Sequence, residues 1–355
     1  MKTGQTLTGD DGTKYELRPD GTLQPIEARA PGSTHAGCRD AADRPLSSSE
    51  LRCVAHPAEA TQEVPAELRG LWSDLSARQP AMVKRIRRDA ADPPRLLPGH
   101  RPLWVGSSFV PRAARRVLRP RVHYRGVALD PLVVWGADER RVYDDLNYPW
   151  GCVCKIQNAD GQGSGVLVGP RHVLTASHVI DWESGGAATI EVNRVGATVQ
   201  ATARAVGTWT FTQVDHNDST TLDEDYAVIV TDQRLGDRFG WMGVRTYDSD
   251  WDGDDSWRSI GYADDVAASI YPVYQRDQNL DEDEWDYGSA RAMTTSADVM
   301  PGQSGSPIFG FWAEGPYVVA VVAATGSVYA SGTENWCSGG NLLTRLVNEA
   351  RANDP

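Results

Sequence analysis

The sequence contains few cysteines and no long apolar run. Five cysteines in 355 residues are too few, and odd in number, for the disulfide scaffold of a small secreted domain. No run approaches the roughly 18 apolar residues of a membrane-spanning helix. Basic residues are also outnumbered, since the net charge is −13, which argues against nucleic acid as the main partner. The sequence therefore predicts neither a nucleic-acid partner nor a membrane partner.

The charge is distributed unevenly along the chain. Residues 84–125 hold 12 basic side chains and two acidic ones, a net charge of +10, whereas residues 126–355 carry a net charge of −20. A shift of this size indicates a domain boundary, and the length suits one large domain with an appendage. We therefore predict an N-terminal segment over residues 1–130, with an Arg-rich arm at 84–125, followed by a domain over 131–355.

The N-terminal segment shows short, separate elements of secondary structure. Residues 15–23 read as a hairpin around the turn residues Pro19, Asp20 and Gly21. One helix is predicted to begin at Pro65, because leucines follow at helical spacing, and a second is predicted to begin at Pro80. We expect one or both of these helices in the appendage.

The pattern changes to β-structure from about residue 133. Short apolar runs alternate with Gly, Asn and Asp turns, and helical spacing returns only at Leu342–Val347 near the C-terminus. Many short strands over about 220 residues favour β-barrels rather than alternating strands and helices. The fold class is therefore mainly β, with a short C-terminal helix.

Three motifs carry residues suited to nucleophilic catalysis. His178 follows an apolar strand, Asp225 precedes one, and Ser304 lies in a glycine-rich turn. A serine hydroxyl needs a base to become a nucleophile, an imidazole can supply that base near neutral pH, and a carboxylate can orient the imidazole. The small residues around Ser304 allow the N–H groups of Gly302 and Ser304 to face a developing oxyanion.

The motifs T-A-S-H (175–178), D-Y-A-V (225–228) and G-Q-S-G-S-P (302–307) occur in the order His, Asp, Ser. Together they resemble the chymotrypsin/trypsin family of serine endopeptidases, and within it the bacterial glutamyl-endopeptidase-like branch. The segments 136–141 and 163–171 resemble that branch too. The resemblance covers about 133–350 and implies two six-stranded antiparallel β-barrels with the site between them.

The resemblance also implies the role of each site residue. Ser304 is the nucleophile, His178 the general base and Asp225 the orienting acid, while Gly302 and Ser304 form the oxyanion hole. The neighbouring acids Asp223 and Glu224 are alternatives, but Asp225 stands immediately before the apolar strand, as the family pattern requires. Peptide bonds would be hydrolysed through an acyl-enzyme intermediate.

The cleavage preference has two interpretations. The residue six before the nucleophile is Asp298, which by resemblance lies at the base of the pocket and would pair with Arg or Lys of the substrate. Glutamyl enzymes carry a histidine on the strand that lines this pocket, but the matching stretch with Val322 and Ala323 has none. A basic preference and a glutamate preference both stay open.

Activation differs from the trypsin pattern. Gln303 stands where trypsins have an aspartate that pairs with a freed N-terminus, so that ion pair cannot form here. Residues 1–130 are expected to be a removed propeptide or a permanent regulatory segment. The Arg-rich arm is expected to dock on the acidic domain of the same chain until it is cut, for example at Arg125–Gly126.

No cofactor and no metal are predicted. The run from Asp248 to Gly253 resembles half of a calcium loop, but Ser259 stands where the loop needs a bidentate acid. Either Cys152 or Cys154 could form a disulfide with Cys337.

Localisation stays open, because the first ten residues lack the apolar stretch of a secretory leader while the family is commonly secreted. The other class of function is a protease-like binding module whose triad is not assembled.

Overall fold

The fold was analysed in a computed structural model of the whole chain. The structure describes residues 6–8, 14–17, 23–27, 44–54, 58–72, 80–86, 94–114, 122–124, 127–129, 138–214, 219–266, 269–282, 290–324 and 335–355. By their contacts the residues form two compact units, Met1–Asp43 and Arg44–Pro355. No helix in the described ranges is long and apolar enough to span a membrane.

Strands dominate the described residues. They are β1 (Thr6–Thr8), β2 (Lys14–Leu17), β3 (Leu23–Glu27), β4 (Met82–Arg85), β5 (Leu96–Leu97), β6 (Val122–Tyr124), β7 (Val127–Leu129), β8 (Arg141–Val142), β9 (Val153–Gln157), β10 (Gln162–Leu167), β11 (His172–Thr175), β12 (Thr189–Val192), β13 (Ala201–Thr210), β14 (Ala227–Thr231), β15 (Gly243–Arg245), β16 (Trp257–Tyr262), β17 (Pro272–Gln278), β18 (Leu280–Glu282), β19 (Ala290–Thr295), β20 (Pro307–Trp312), β21 (Gly315–Ala324) and β22 (Asn335–Gly340). The α-helices are α1 (Ser48–Val54), α2 (Leu235–Phe239) and α3 (Asn341–Asn353). Short 3₁₀ helices lie at Ala66–Leu68, Trp150–Cys152, Ser177–Val179, Ser219–Glu224 and Ser249–Trp251.

Six strands close into an antiparallel barrel. Their order is β12-β9-β10-β11-β14-β13, and β12 pairs with β13 to complete the ring. The interior is filled by aliphatic side chains such as Ile156, Leu174, Ile190 and Ile229, all fully buried. The apolar runs of these strands are therefore explained by burial inside a closed barrel.

A second sheet forms a half-barrel beside the first. Its path among the described strands is β18-β19-β22-β21-β20-β16-β17-β8, and β15 pairs with β21. A cluster of aromatic rings, including Trp251, Trp257 and Trp312, fills part of its core. The predicted mainly β architecture is confirmed. Among the described strands the first of the two predicted barrels is closed, whereas the second is a half-barrel.

The predicted hairpin is present, but the residues described after Pro65 (65–72) and after Pro80 (80–86) do not form the predicted helices. Strands β2 and β3 pair antiparallel with Leu17 opposite Leu23. The stretch after Pro65 forms only one 3₁₀ turn, and the helix predicted from Pro80 is wrong, because residues 82–85 form β4 parallel to β13. The edge of β13 offers unpaired backbone groups, and pairing with them outweighs a weak helix preference.

The described residues between 44 and 114 pack against the two sheets rather than forming a separate body. Besides β4, strand β5 pairs with β15, and single bridges join His100 to Trp241 and Ser107 to Tyr148. The division of function at residue 130, with a propeptide-like or regulatory segment before it, stays a prediction. Gly126 and Val133, which that prediction invokes, lie outside the described residues.

Three basic side chains of the Arg-rich arm form ion pairs with carboxylates of the domain predicted over residues 131–355. The pairs are Lys84–Asp354 at 2.7 Å, Arg95–Asp248 at 3.1 Å and Arg112–Asp144 at 3.6 Å. Each pair is partly or largely exposed, so each contributes no more than about 1 kcal/mol.

The described cysteines are free and buried. Cys152 and Cys154 lie in the core of the first barrel, whereas Cys337 lies in the aromatic cluster of the second sheet. The expected pairing of either residue with Cys337 does not occur, because the thiols belong to different cores.

The C-terminal helix α3 is docked on the first barrel through a buried histidine. Leu343, Leu346 and Val347 of α3 are fully buried, which confirms the helix predicted from their spacing. His172 on β11 is also fully buried, and its Nε2 donates to the carbonyl of Ala350 at 3.1 Å. Burial lowers the pKa of His172 to about 4.

The pKa of His172 makes stability depend on pH. The pKa of His172 in the folded chain lies below the ordinary 6.5. Between the two pKa values the unfolded chain therefore binds a proton at His172 that the folded chain does not bind. The free energy of unfolding should therefore fall by up to about 3 kcal/mol from this residue as the pH drops from about 6.5 to about 4. His172→Gln keeps a donor for Ala350 but does not titrate.

Urea unfolding in a Ser304→Ala background, which removes self-digestion, measures this effect. The stability of the His172→Gln protein relative to the parent should rise steadily between pH 7 and pH 4. A difference that does not change with pH would contradict the assignment.

Candidate active site

Two paired strands bring His178 and Asp225 together. Thr175, the last residue of β11, lies opposite Ala227, the first residue of β14. His178 follows three residues after one strand end, and Asp225 stands two residues before the other. The register of this one strand pair therefore fixes the distance between the two motifs.

The carboxylate of Asp225 holds both the backbone and the ring of His178. Oδ2 accepts from Nδ1 of His178 at 2.6 Å, and Oδ1 accepts from the backbone N–H of the same residue at 2.9 Å. The side chain of Asp225 is only 3% exposed. Because Nδ1 donates to the carboxylate, the neutral ring keeps its lone pair on Nε2. Glu224, one of the alternative acids, instead accepts from Thr212.

Ser304 lies in a loop with unusual backbone geometry. Gly302 and Gly305 on either side have φ of +90° and +81°, a region that favours glycine. A Cβ on Gly302 would lie 2.5 Å from Oδ1 of Asp264. The backbone N–H groups of Gly302 and Ser304 donate to no residue in the described part of the chain. Two unused donors next to one hydroxyl suit an anionic oxygen.

The loop is fastened to both sheets by hydrogen bonds. Ser164 on β10 donates from its N–H to the carbonyl of Ser304 and from its Oγ to the carbonyl of Gly302, each at 2.8 Å. Gly305 donates to the carbonyl of Val322 on β21 at 2.8 Å. Ser164 was not predicted as a site residue, although it stands in the quoted segment 163–171.

His178, Gly302 and Ser304 line one cavity of about 860 Å³. Its other lining residues are mainly polar: Gln157, Asn158, Asp160, Gly161, Gln162, Val179, Asp264 and Pro301. Asp264 accepts from Gln162 at 2.5 Å and from Ser269 at 2.6 Å. Neither Asp160 nor Asp264 was identified from the sequence, because no local motif marks them.

None of the three predicted pocket residues is among the residues that line this cavity. Asp298 is buried, and its Oδ2 accepts from the backbone N–H of Glu139 at 2.8 Å. Burial raises the pKa of Asp298, and the hydrogen bond from Glu139 opposes that rise. Val322 and Ala323 are buried on β21, and the segment 325–334 that follows them lies outside the described residues.

No metal site is found among the residues that the structure describes. In the run that resembles half of a calcium loop, Asp248 pairs with Arg95 and Asp252 accepts from Tyr247 at 2.8 Å. These carboxylates are thus engaged by protein donors.

Comparison with known proteins identifies the domain. A family model described as a trypsin-like peptidase domain matches residues 163–318. The glutamyl endopeptidase of Bacillus licheniformis is 28% identical over 187 residues, which cover 50% of this chain and 54% of that protein. Residues 163–318 therefore match a trypsin-like peptidase domain, and a wider part of the chain is similar to a glutamyl endopeptidase.

A solved structure agrees with the fold of the peptidase domain. The structure of a Glu endopeptidase in complex with MPD superposes with a TM-score of 0.52 at 19% identity, and it covers 62% of this chain and 100% of that one. At this identity the likeness shows the fold alone. The chain spans about half the length of the curated relative.

Proposed function

We propose that this protein is a serine endopeptidase in which Ser304, His178 and Asp225 act as a catalytic triad. The observation that carries the proposal is the bidentate contact between Asp225 and His178 at the wall of the cavity that Ser304 also lines. Protein or peptide chains are the substrate class, as the peptidase domain implies.

In this mechanism Nε2 of His178 takes the proton of Ser304 as Oγ attacks the scissile carbonyl. The carboxylate of Asp225 keeps the proton on Nδ1 and stabilises the imidazolium that forms. The N–H groups of Gly302 and Ser304 receive the oxyanion of the tetrahedral intermediate. His178 then protonates the leaving amine, and water hydrolyses the acyl-enzyme by the same steps.

The alternative function is a protease-like binding module. Such a module would not need a buried carboxylate on Nδ1 of His178, nor two unused N–H donors beside a serine. Those two features favour the enzyme. A fluorophosphonate probe separates the two functions, because it reacts only with an activated serine.

Ser304→Ala should lower kcat by about six orders of magnitude, by analogy with triad deletions in an unrelated serine protease. The matched control is Ser306→Ala. Ser306 lies two residues away and is fully buried, and its Oγ has no hydrogen-bond partner in the described residues. Casein hydrolysis and fluorophosphonate labelling measure both variants. Equal labelling of the parent and Ser304→Ala proteins would rule out Ser304 as the nucleophile.

We further propose that the peptidase prefers Arg or Lys before the cut. Asp298 supports this preference, because its Oδ1 accepts no hydrogen bond from the residues that the structure describes, and the side chain is buried. The glutamyl alternative draws support from the similarity to the glutamyl endopeptidase of Bacillus licheniformis, but the stretch 319–324 has no histidine.

A peptide-library profile of the parent tests the preference. Asp298→Asn keeps an oxygen for the N–H of Glu139 and removes the charge, so it should cost about 2 kcal/mol or more, roughly thirtyfold in kcat/KM, on Arg substrates. Cleavage after Glu in the parent would instead favour the glutamyl alternative, and a profile without basic preference would contradict the role of Asp298.

We also propose that the Arg-rich arm docks on the peptidase domain of the same chain. The pairing of β4 with β13 and the three ion pairs of Lys84, Arg95 and Arg112 support docking. Tethering raises the effective concentration of the arm, so weak contacts suffice. No described residue of the arm lines the cavity, so restraint of the enzyme until the arm is cut stays a separate prediction.

A salt series on the full-length protein tests that restraint. Opposite charges attract over about 8 Å at physiological ionic strength, so activity should rise with salt if the docked arm restrains the enzyme. A variant with Lys84, Arg95 and Arg112 all changed to Gln should lose most of this salt dependence. Identical salt profiles for the two folded proteins would remove the autoinhibition idea.

A further inference from the structure

Arg140 is a buried guanidinium in which every N–H has an acceptor. Its side chain is 2% exposed. Nε and Nη2 donate to the two oxygens of Asp138 at 3.0 and 2.9 Å. Nη1 and Nη2 donate to the two oxygens of Asp265 at 3.0 and 2.6 Å. The remaining N–H of Nη1 donates to Oε1 of Gln303 at 2.8 Å.

Gln303 is the residue immediately before Ser304, and it organises the loop from within. Its Oε1 also accepts from the backbone N–H of Met300 at 3.0 Å, and its own N–H donates to the carbonyl of Met300 at 3.0 Å. The side chain is 2% exposed. Arg140 therefore contacts the loop that carries Ser304 through the side chain of Gln303, which also accepts from Met300 across the turn.

The segment around Arg140 holds the other end of the same loop. The N–H of Glu139 donates to Oδ2 of Asp298 at 2.8 Å. Two consecutive residues, Glu139 and Arg140, thus contact the first and the last residue of the stretch 298–303 that leads into Ser304. The loop is fixed between two points by a segment about 160 positions away in the sequence.

The guanidinium stays charged in this buried place. Burial alone lowers the pKa of Arg140, but its hydrogen bonds to the carboxylates of Asp138 and Asp265 outweigh that effect and raise the pKa above its ordinary value. A planar guanidinium can satisfy five acceptors in a fixed arrangement, which a lysine ammonium cannot. The arrangement therefore requires arginine.

We propose that Arg140 is a positioning residue that orders the Ser304 loop, so that the N–H groups of Gly302 and Ser304 face the cavity in the uncut chain. This inference rests on the proposed serine endopeptidase function. The internal guanidinium of Arg140 contacts the loop through Gln303. The loop therefore needs no freed N-terminus to become ordered. Arg140 touches neither substrate nor reacting atoms, and it acts through Gln303.

Fluorophosphonate kinetics on the full-length protein test the proposal without knowledge of the cleavage preference. The inactivation rate constant kinact reports how well the loop stabilises the developing charge on the probe, and KI reports its binding. Arg140→Gln should lower kinact by about 10²-fold, because small misplacement of catalytic groups has effects of that size. KI should change little, since the lost interaction acts in the transition state.

The matched control is Arg194→Gln. Arg194 also holds a carboxylate with two hydrogen bonds, to Glu191 at 2.8 and 2.9 Å, and its side chain is 24% exposed. Its described partners lie outside the stretch 298–304. Both variants are compared at equal folded fraction, measured by unfolding in a Ser304→Ala background. If Arg140→Gln keeps kinact within about threefold of Arg194→Gln, Arg140 has only a structural role and the proposal fails.

A double-mutant cycle shows whether Arg140 acts through Gln303. Gln303→Leu should lower kinact as Arg140→Gln does, and the double variant should be no slower than the slower single variant. Additive losses would overturn the route through Gln303. Arg140→Lys should recover part of kinact, because one ammonium can serve some of the acceptors.

The intact mass of the labelled protein tests the second half of the proposal. The adduct is expected on the full-length chain. Adducts found only on shortened chains would show that a cut is needed to order the loop, and would overturn the inference while leaving the endopeptidase function standing. Failure of the parent to label in any form would instead overturn the proposed function itself.

Discussion

A single buried serine joins the strand that leads to His178 with the loop that carries Ser304. The N–H and Oγ of Ser164 donate to the carbonyls of Ser304 and Gly302, and its own carbonyl accepts from Oγ1 of Thr175 at 2.7 Å. Ser164 is fully buried, so water does not compete for these bonds. Its Oγ also accepts from the backbone N–H of Tyr262 on β16 at 2.8 Å. Because Ser164 thus binds the Ser304 loop, β11 and β16, the position of the nucleophile relative to the first barrel depends on this one residue.

This convergence leaves no room for a side chain at position 305. A Cβ on Gly305 would lie 2.2 Å from Oγ1 of Thr175 and 2.3 Å from the carbonyl oxygen of Ser164. The glycine-rich pattern that marks Ser304 in the sequence is therefore a packing requirement as much as a conformational one. In the described part of the chain the N–H groups of Gly302 and Ser304 donate to no residue, which is what the proposed oxyanion hole requires.

The parts of the site that the sequence predicted are those determined by near neighbours. His178 and Asp225 lie within three residues of strand ends that pair directly. The short motifs around these strand ends, taken in order, carry the family resemblance that singled out the two residues. The helix predicted from Pro80 failed because the free edge of β13, more than 100 residues later, decides the conformation of residues 82–85. The contacts of Asp298 with Glu139 and of Gln303 with Arg140 are equally remote. No local pattern contains such information, which is why the sequence identified Asp298 but not its backbone donor.

A loop that is ordered by groups inside the folded domain forms when the domain folds. If Arg140 orders the loop as proposed, control over the proposed peptidase acts on entry to the cavity rather than on the loop itself. Two exposed carboxylates, Asp160 and Asp264, line that cavity, and residues 126–355 carry a net charge of −20. Both attract cationic chain segments from within about a Debye length, ~8 Å at physiological salt. A basic substrate and the protein's own Arg-rich arm are therefore drawn by the same field, so a cationic segment on the same chain has the charge needed to compete with substrate for the approach to Ser304.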